Sequence, residues 1–184
     1  MSKKILTYGF IVILMIIGLK VRAQQFTEYD LKAAYVYNFS KFVKWPDQAF
    51  SNDTSKFVIT IIGESPITPV LFQALKNKKV MNRSIKIQVI DRVEDIGKTH
   101  ILFVSKDMQT QITNIIKVTE HKPILVVGDI IEGFCQNGGI INFTQKSSKY
   151  RFEINNISAQ NAGLKISSKL LALARIISSE EIKF

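Results

Sequence analysis

The chain has 184 residues, 46% of them hydrophobic, with 25 basic and 15 acidic side chains and a formal net charge of +10. That length supports one domain with a sizeable core. The basic excess is spread along the chain without the clustered arginines and interleaved aromatics of nucleic-acid binding, so it reads as a solvated basic surface, with attraction to anionic lipid headgroups or acidic cell-wall polymers as the weaker alternative.

The first residues read as an export signal. Lys3 and Lys4 form a short basic segment, and Ile5 to Leu19 follow without a charge. Such a run falls short of the ~20 apolar residues that span a bilayer. Val21 and Ala23 supply the −3 and −1 positions of a cleavage site, so the cut is expected between Ala23 and Gln24. Residues 1–23 are then a signal peptide and 24–184 a single α/β domain. Removal of the leader takes four basic residues and no acid, leaving a net charge of +6. Lys20 and Arg22 lie unusually close to the cut, and retention of the leader as an anchor is the alternative. No cysteine follows the apolar run, so a lipobox is excluded.

Thr27, Glu28 and Asp30 read as a helix start, with a cap and acids in the first turn. Leu31, Tyr35, Phe39 and Phe42 recur at helical spacing, and Pro46 ends the helix at or just before Trp45. Phe57 to Ile62 is a buried strand stopped by Gly63. Pro66 to Leu75 reads as a short helix opened by Ser65. Ile85, Ile87 and Val89 alternate with Lys86 and Gln88 as a half-exposed strand. His100 to Ser105 and Pro123 to Val127 are further buried strands, separated by a helix over Asp107 to Val118. Gly138 and Gly139 introduce a strand from Ile140 to Phe143, and Tyr150 to Asn155 alternates as another, joined to it by the turn-rich Gln145 to Lys149. Ile166, Leu170, Leu173 and Ile177 lie on one helical stripe. Apolar strands alternating with helices imply a sheet covered on both sides. The expected architecture is a three-layer α/β sandwich, a mixed β-sheet with helices on both faces.

The residues carry little chemistry. His100 and His121 have no second ligand at metal spacing, and His100 opens an apolar strand as a structural histidine would. HExxH, CxxC, Walker A, GxGxxG and GxSxG are all missing, and Ser167, Ser168 and Lys169 do not make SxxK because Leu170 and Leu171 hold the required positions. Cys135 is alone, follows Phe134, and reads as a buried small hydrophobe. No catalytic residue, metal site or cofactor is expected. Two polar sets remain as candidate contacts for a partner or ligand. Arg151, Glu153 and Asn155 share one face of their strand, where they either line a groove or form a solvated face with cross-strand pairs. Trp45 before Pro46 either anchors a partner or packs the helix end on the core. Ser167, Ser168 and Lys169 complete the candidate set, with a helix cap as the plainer role of the two serines.

Taken in order, "LKAAYVYNFSKFVKWPDQAF", "FVITIIGESP", "THILFVS", "GGIINF" and "YRFEINNISAQNAGLKISSKLLALAR" resemble the YfiR family, and together they span nearly all of the chain after the leader. The resemblance implies an exported, non-catalytic α/β protein. Family members of understood role are periplasmic repressors. They bind the outward-facing domain of an inner-membrane diguanylate cyclase, and their release raises cyclic di-GMP and promotes biofilm formation. The expected partner here is the periplasmic domain of such a cyclase or of a sensor kinase, with a small ligand or a second copy of the chain also compatible. Many relatives carry a cysteine where this chain has Thr99, so redox control through that position is not implied. The alternative function is a periplasmic receptor for a small molecule or cell-wall fragment. An enzyme of unrecognised type would require His100, Cys135 and an acid to converge.

Overall fold

The computed structural model describes residues 27–146 and 149–182. The leader and its Ala23–Gln24 junction lie outside them. Helix α1 (Glu28–Phe42) opens on a capping box. The Thr27 hydroxyl accepts the Asp30 N–H at 3.2 Å, and the Asp30 carboxylate accepts the Thr27 N–H at 2.8 Å. Two of the four unpaired donors at the helix start are thereby satisfied. The helix stops at Phe42, earlier than Pro46 alone would require. Val43–Lys44 (β1) leave it to pair antiparallel with Lys165–Ile166 (β9), forming a separate two-stranded ribbon.

The main sheet contains β2 (Phe57–Ile62), β3 (Lys79–Val80), β4 (Arg83–Ile90), β5 (Ile101–Val104), β6 (Leu125–Gly128), β7 (Ile141–Lys146), β8 (Lys149–Ile154) and β10 (Arg175–Ile176). Their spatial order is β10-β8-β7-β6-β5-β2-β4-β3. Strands β4, β2, β5, β6 and β7 run parallel, β8 is antiparallel to β7 and parallel to β10, and β3 is antiparallel to β4. The mixed α/β sheet is thus as the alternation of elements indicates.

Side-chain alternation divides the interior in two. Ile59, Ile61, Phe103 and Val127 join Ala33, Val36 and Phe39 of α1 and Leu71 of α2 (Ile67–Ala74) in one apolar cluster. Ile62, Leu102, Val104 and Val126 join Ile112 and Ile115 of α3 (Ile112–Thr119) in a second. Helices are few, however, and turns share the covering: the segment expected to open a helix at Asp107 is a 3₁₀ turn over Lys106–Gln111. The architecture is a mixed α/β sheet with helices rather than a regular three-layer sandwich.

The C-terminal stripe is a larger correction. Ile166 lies in β9, Leu170 in the one-turn helix α5 (Ser168–Leu171), and Ile177 follows β10. Leu173 is 70% exposed, so it holds no place on a buried helix face. Arg175 and Ile176 instead pair with Glu153 and Ile154 on the edge of β8. Ladder pairing overrode a helical period that the local sequence allowed. A helix the periodicity does not show, α4 (Asn156–Asn161), begins immediately after β8 with the Asn155 side chain as its cap.

The turn before β7 is set by two glycines. Gly138 has φ +102°, a region L side chains rarely adopt. At Gly139 an added Cβ would lie 2.3 Å from the Phe134 ring, which packs flat on the backbone there. Phe134 is fully buried and has no room to withdraw. Gly139→Ala is therefore expected to destabilise by about 1–3 kcal/mol through overpacking. Urea unfolding checks this, and an unchanged midpoint would show that the Phe134 packing is soft.

Candidate functional site

The carboxyl ends of the parallel strands gather the most concentrated ionic cluster. Alternation along β6 places Asp129, the residue after Gly128, on the face covered by α1, beside Phe143 of β7. Lys32 lies one residue before Ala33 and four before Val36 on the buried side of α1, so its side chain points at the same spot. Lys32 is 1% exposed and Asp129 5%. The ammonium bonds the carboxylates of both Asp129 and Glu28. It also lies 4.8 Å from the Tyr29 ring centre and 5.7 Å from that of Tyr150. The Tyr150 hydroxyl donates to Glu28 at 2.6 Å, which ties the β7–β8 hairpin to the start of α1.

The charges in this cluster are one positive against two negative, and the protonation tendencies follow from that count. Burial alone would depress Lys32, but its two carboxylate partners outweigh it and hold the ammonium above the ordinary lysine range. Burial pushes Asp129 up despite its bond to Lys32, and the Glu28 charge adds to the push. Glu28 is more exposed. Burial would raise it, yet the bonds from Lys32 and Tyr150 prevail and lower it. A lysine held charged is a poor nucleophile. The cluster is a clamp between α1, β6 and β8. Next to it, Ile130 has φ 55°, a genuine outlier for a β-branched residue. A strain of about 1–3 kcal/mol is sustained there by the surrounding structure.

A second network closes the far edge of the sheet. Arg175 donates to Glu153 at 2.9 Å and to Glu181 at 2.8 Å. The Asn142 amide bonds the Ile131 carbonyl at 2.8 Å and Glu153 at 3.3 Å. Cys135 sits beneath, fully buried, with its sulfur 3.7 Å from the carbonyls of Ile140 and Glu153. Burial pushes its thiol well above the usual range, which makes the thiolate inaccessible.

The anticipated contact residues divide sharply. Trp45 is 2% exposed, stands edge-on to Phe57 and donates its indole N–H to the His100 carbonyl at 3.3 Å, so the ring packs the core. Glu153 and Asn155 are buried, Glu153 in the Arg175 network and Asn155 capping α4 while bonding the Cys135 carbonyl at 2.8 Å. Only Arg151 of that strand face is exposed, so the three do not line a common groove. Ser167 caps α5 by accepting the Leu170 N–H at 3.3 Å, with Ser168 and Lys169 exposed beyond it.

His100 does not approach Cys135. Its ring stacks between Phe50 and Phe57, with centres 4.6 and 4.8 Å away, and Nδ1 accepts the Val58 N–H at 3.0 Å. The neutral ring therefore carries its proton on Nε2, on the side of the Ala49 backbone but without a hydrogen bond of normal geometry. Among the described residues, no group of three or more His, Cys, Asp and Glu could hold a metal ion, and no helix is long and apolar enough to cross a membrane.

Sequence reasoning passed over Lys32 and Asp129. The available signal was a lysine one residue before Ala33 and four before Val36, on the buried side of the helix and four residues after Glu28. Its partner lies 97 positions away, which no local pattern reveals. A family model described as YfiR/HmsC-like matches residues 29–175. No curated protein matches the chain.

Asp129→Ala leaves a buried ammonium half-paired and is expected to cost about 3–5 kcal/mol in urea unfolding. Adding Lys32→Met should recover much of that loss, because Glu28 can hydrate; strictly additive costs would show that the two residues are not coupled. His100 supplies a pH dependence. Burial is the main cause that lowers it from 6.5 to about 4. Between these values the unfolded chain binds more protons than the folded one, so stability is complete at neutral pH and falls as pH drops from 6.5 toward 4. The loss should be on the order of 3 kcal/mol. Unfolding midpoints across this window should fall less steeply in His100→Gln, and parallel curves for the two proteins would refute the assignment.

Proposed function

From the premise that this chain belongs to the YfiR/HmsC-like family, we propose that it is an exported regulator that docks on the periplasmic domain of an inner-membrane signalling protein. The family match over residues 29–175 carries this reading, because it spans the main sheet and its helices but for one residue at each end. Regulation of this kind needs no chemistry, only a preference for one conformational state of the partner. The partner we assign is a diguanylate cyclase held inactive by docking, with cyclic di-GMP as the output. Of the anticipated contact residues, Arg151, Ser168 and Lys169 are exposed and stay candidates for that surface.

The interior supports a binding role. Its buried ionisable groups are committed to internal bonds, as in the Lys32 clamp and the Glu153 network. The alternative, a receptor for a small molecule or cell-wall fragment, has weaker support. The groove between Leu31, Ala34 and Tyr150 holds about 270 Å³ and two others about 360 Å³, but all three are open to solvent, whereas ligand pockets bury most of the ligand's surface.

Deleting the gene should raise cellular cyclic di-GMP and biofilm mass, and cross-linking in intact cells should join the protein to an inner-membrane cyclase. Unchanged cyclic di-GMP together with no cross-linked membrane protein would overturn the proposal.

A further inference from the structure

The two ends of the main sheet are finished differently. At one end, β10 covers the last residues of β8, and Arg175 fixes it there. At the other, β3 covers only the first two residues of β4, through the pairs Lys79–Ser84 and Val80–Arg83. The hairpin between them turns through Met81 and Asn82, both at positive φ, as a type I′ turn requires. The rest of β4, from Ile85 to Ile90, pairs with β2 on its inner side and, among the described residues, with no strand on its outer side.

The phase of that free edge follows from one bond. The Gly63 N–H donates to the Ile90 carbonyl at 3.0 Å, so the backbone of Ile90 faces β2. In a parallel pair the facing alternates with period two. Lys86 and Gln88 therefore also face β2, while the N–H and C=O groups of Ile85, Ile87 and Val89 point outward. These three side chains share the α2 face of the sheet. Ile85 and Ile87 are half-buried, Val89 is 45% exposed, and Phe72 of α2 is 49% exposed beside them. An open groove of about 360 Å³ runs along this edge, lined by Phe72, Leu75, Ile85 and Ile87 with Lys76 and Lys78 on its rim. Among the described residues no proline, bulge or covering segment protects Ile85–Ile90, and the one charged side chain on this stretch is Lys86.

Charge selects the occupant. Residues 76–90 contain Lys76, Lys78, Lys79, Arg83 and Lys86 and no acid. Arg83 turns away to the Asn52 and Ser55 carbonyls and the Phe50 ring. None of the four lysines is within ion-pair distance of a carboxylate among the described residues, and all four are exposed. A second copy would bring the same lysines against them, which like-charge repulsion disfavours.

We infer that the outer edge of β4 is a strand-addition site for an extended segment of a partner protein, carrying alternating acidic and apolar side chains. Main-chain bonds to Ile85, Ile87 and Val89 supply affinity, the Phe72 groove takes the apolar side chains, and the lysines select acids. This rests on the reading of the chain as a docking protein and gives that docking a location.

The probe is an end-blocked, fluorescein-labelled decapeptide of alternating glutamate and valine, followed by anisotropy, with a lysine–valine decapeptide as control. Val89→Pro removes one outward N–H, and proline is tolerated at such edge positions; Val89→Glu keeps the backbone and adds a repelling charge. The acidic peptide should bind wild type. Binding should weaken at least about tenfold, or 1.4 kcal/mol, in each variant and with the lysine peptide. Amide exchange at Ile87 and Val89 should slow in the complex. Failure of the acidic peptide to bind wild type, or equal binding to wild type and both variants, would overturn the site. A wild-type dimer in sedimentation that both variants dissociate would overturn the acidic partner in favour of a second copy. If both variants still repress cyclic di-GMP in cells, this edge falls while the regulator stands. If the peptide binds as expected but gene deletion leaves cyclic di-GMP unchanged, the edge stands and the regulator falls.

Discussion

Three parallel strands, β2, β5 and β6, lie near the middle of this protein with nearly every side chain buried. A strand in that position satisfies its backbone through the ladders on either side, but its side chains need apolar cover above and below. The rest of the molecule answers that need. Residues of α1, started by the Thr27 capping box, join these strands in one apolar cluster, and residues of α3 join them in the other. Where the cover ends, at the carboxyl ends of the strands, polar backbone and side chains would otherwise meet apolar surface. The Lys32–Asp129 pair and the Asn142 amide close those positions with bonds instead.

This arrangement leaves little reactive chemistry inside. The lysine is held charged, the thiol is held protonated, and the one buried imidazole is sandwiched between two phenyl rings. Each of these groups secures one element to another. What distinguishes one part of the protein from another is therefore its surface, and there the two edges of the main sheet contrast. The edge at β8 is closed by a short strand and an arginine bonded to two carboxylates. The edge at β4 displays unpaired backbone beside exposed apolar side chains and lysines. Membership of the YfiR/HmsC-like family and a surface with one unfinished edge support the same proposal, the docking role put forward above.

Several anticipated contact residues illustrate how burial reassigns a side chain. Alternation groups Arg151, Glu153 and Asn155, yet it cannot say what covers them. The Asn155 amide donates to the Cys135 carbonyl of the preceding turn and the Glu153 carboxylate bonds Asn142 and Arg175, leaving Arg151 outside. Trp45 was open to two readings, and the one that prevailed follows from β1 pairing with β9, which holds the chain after α1 against the core.

By itself the sequence determined the elements whose signals are local and strong. These are the capped first helix, the buried strands at Phe57–Ile62, within His100–Ser105 and, to within a residue or two, at Pro123–Val127, the glycine turn before β7, and a buried lone cysteine. Apolar runs, cap residues and positive-φ glycines act within a few residues, so they survive any tertiary context. Only the tertiary structure decided the pairing of Lys32 with Asp129, the breaking of the C-terminal stripe into β9, α5 and β10, and the open edge of β4. Each depends on which distant strand lies alongside, and the free energy of that pairing exceeds the few tenths of a kcal/mol by which local propensity prefers a helix.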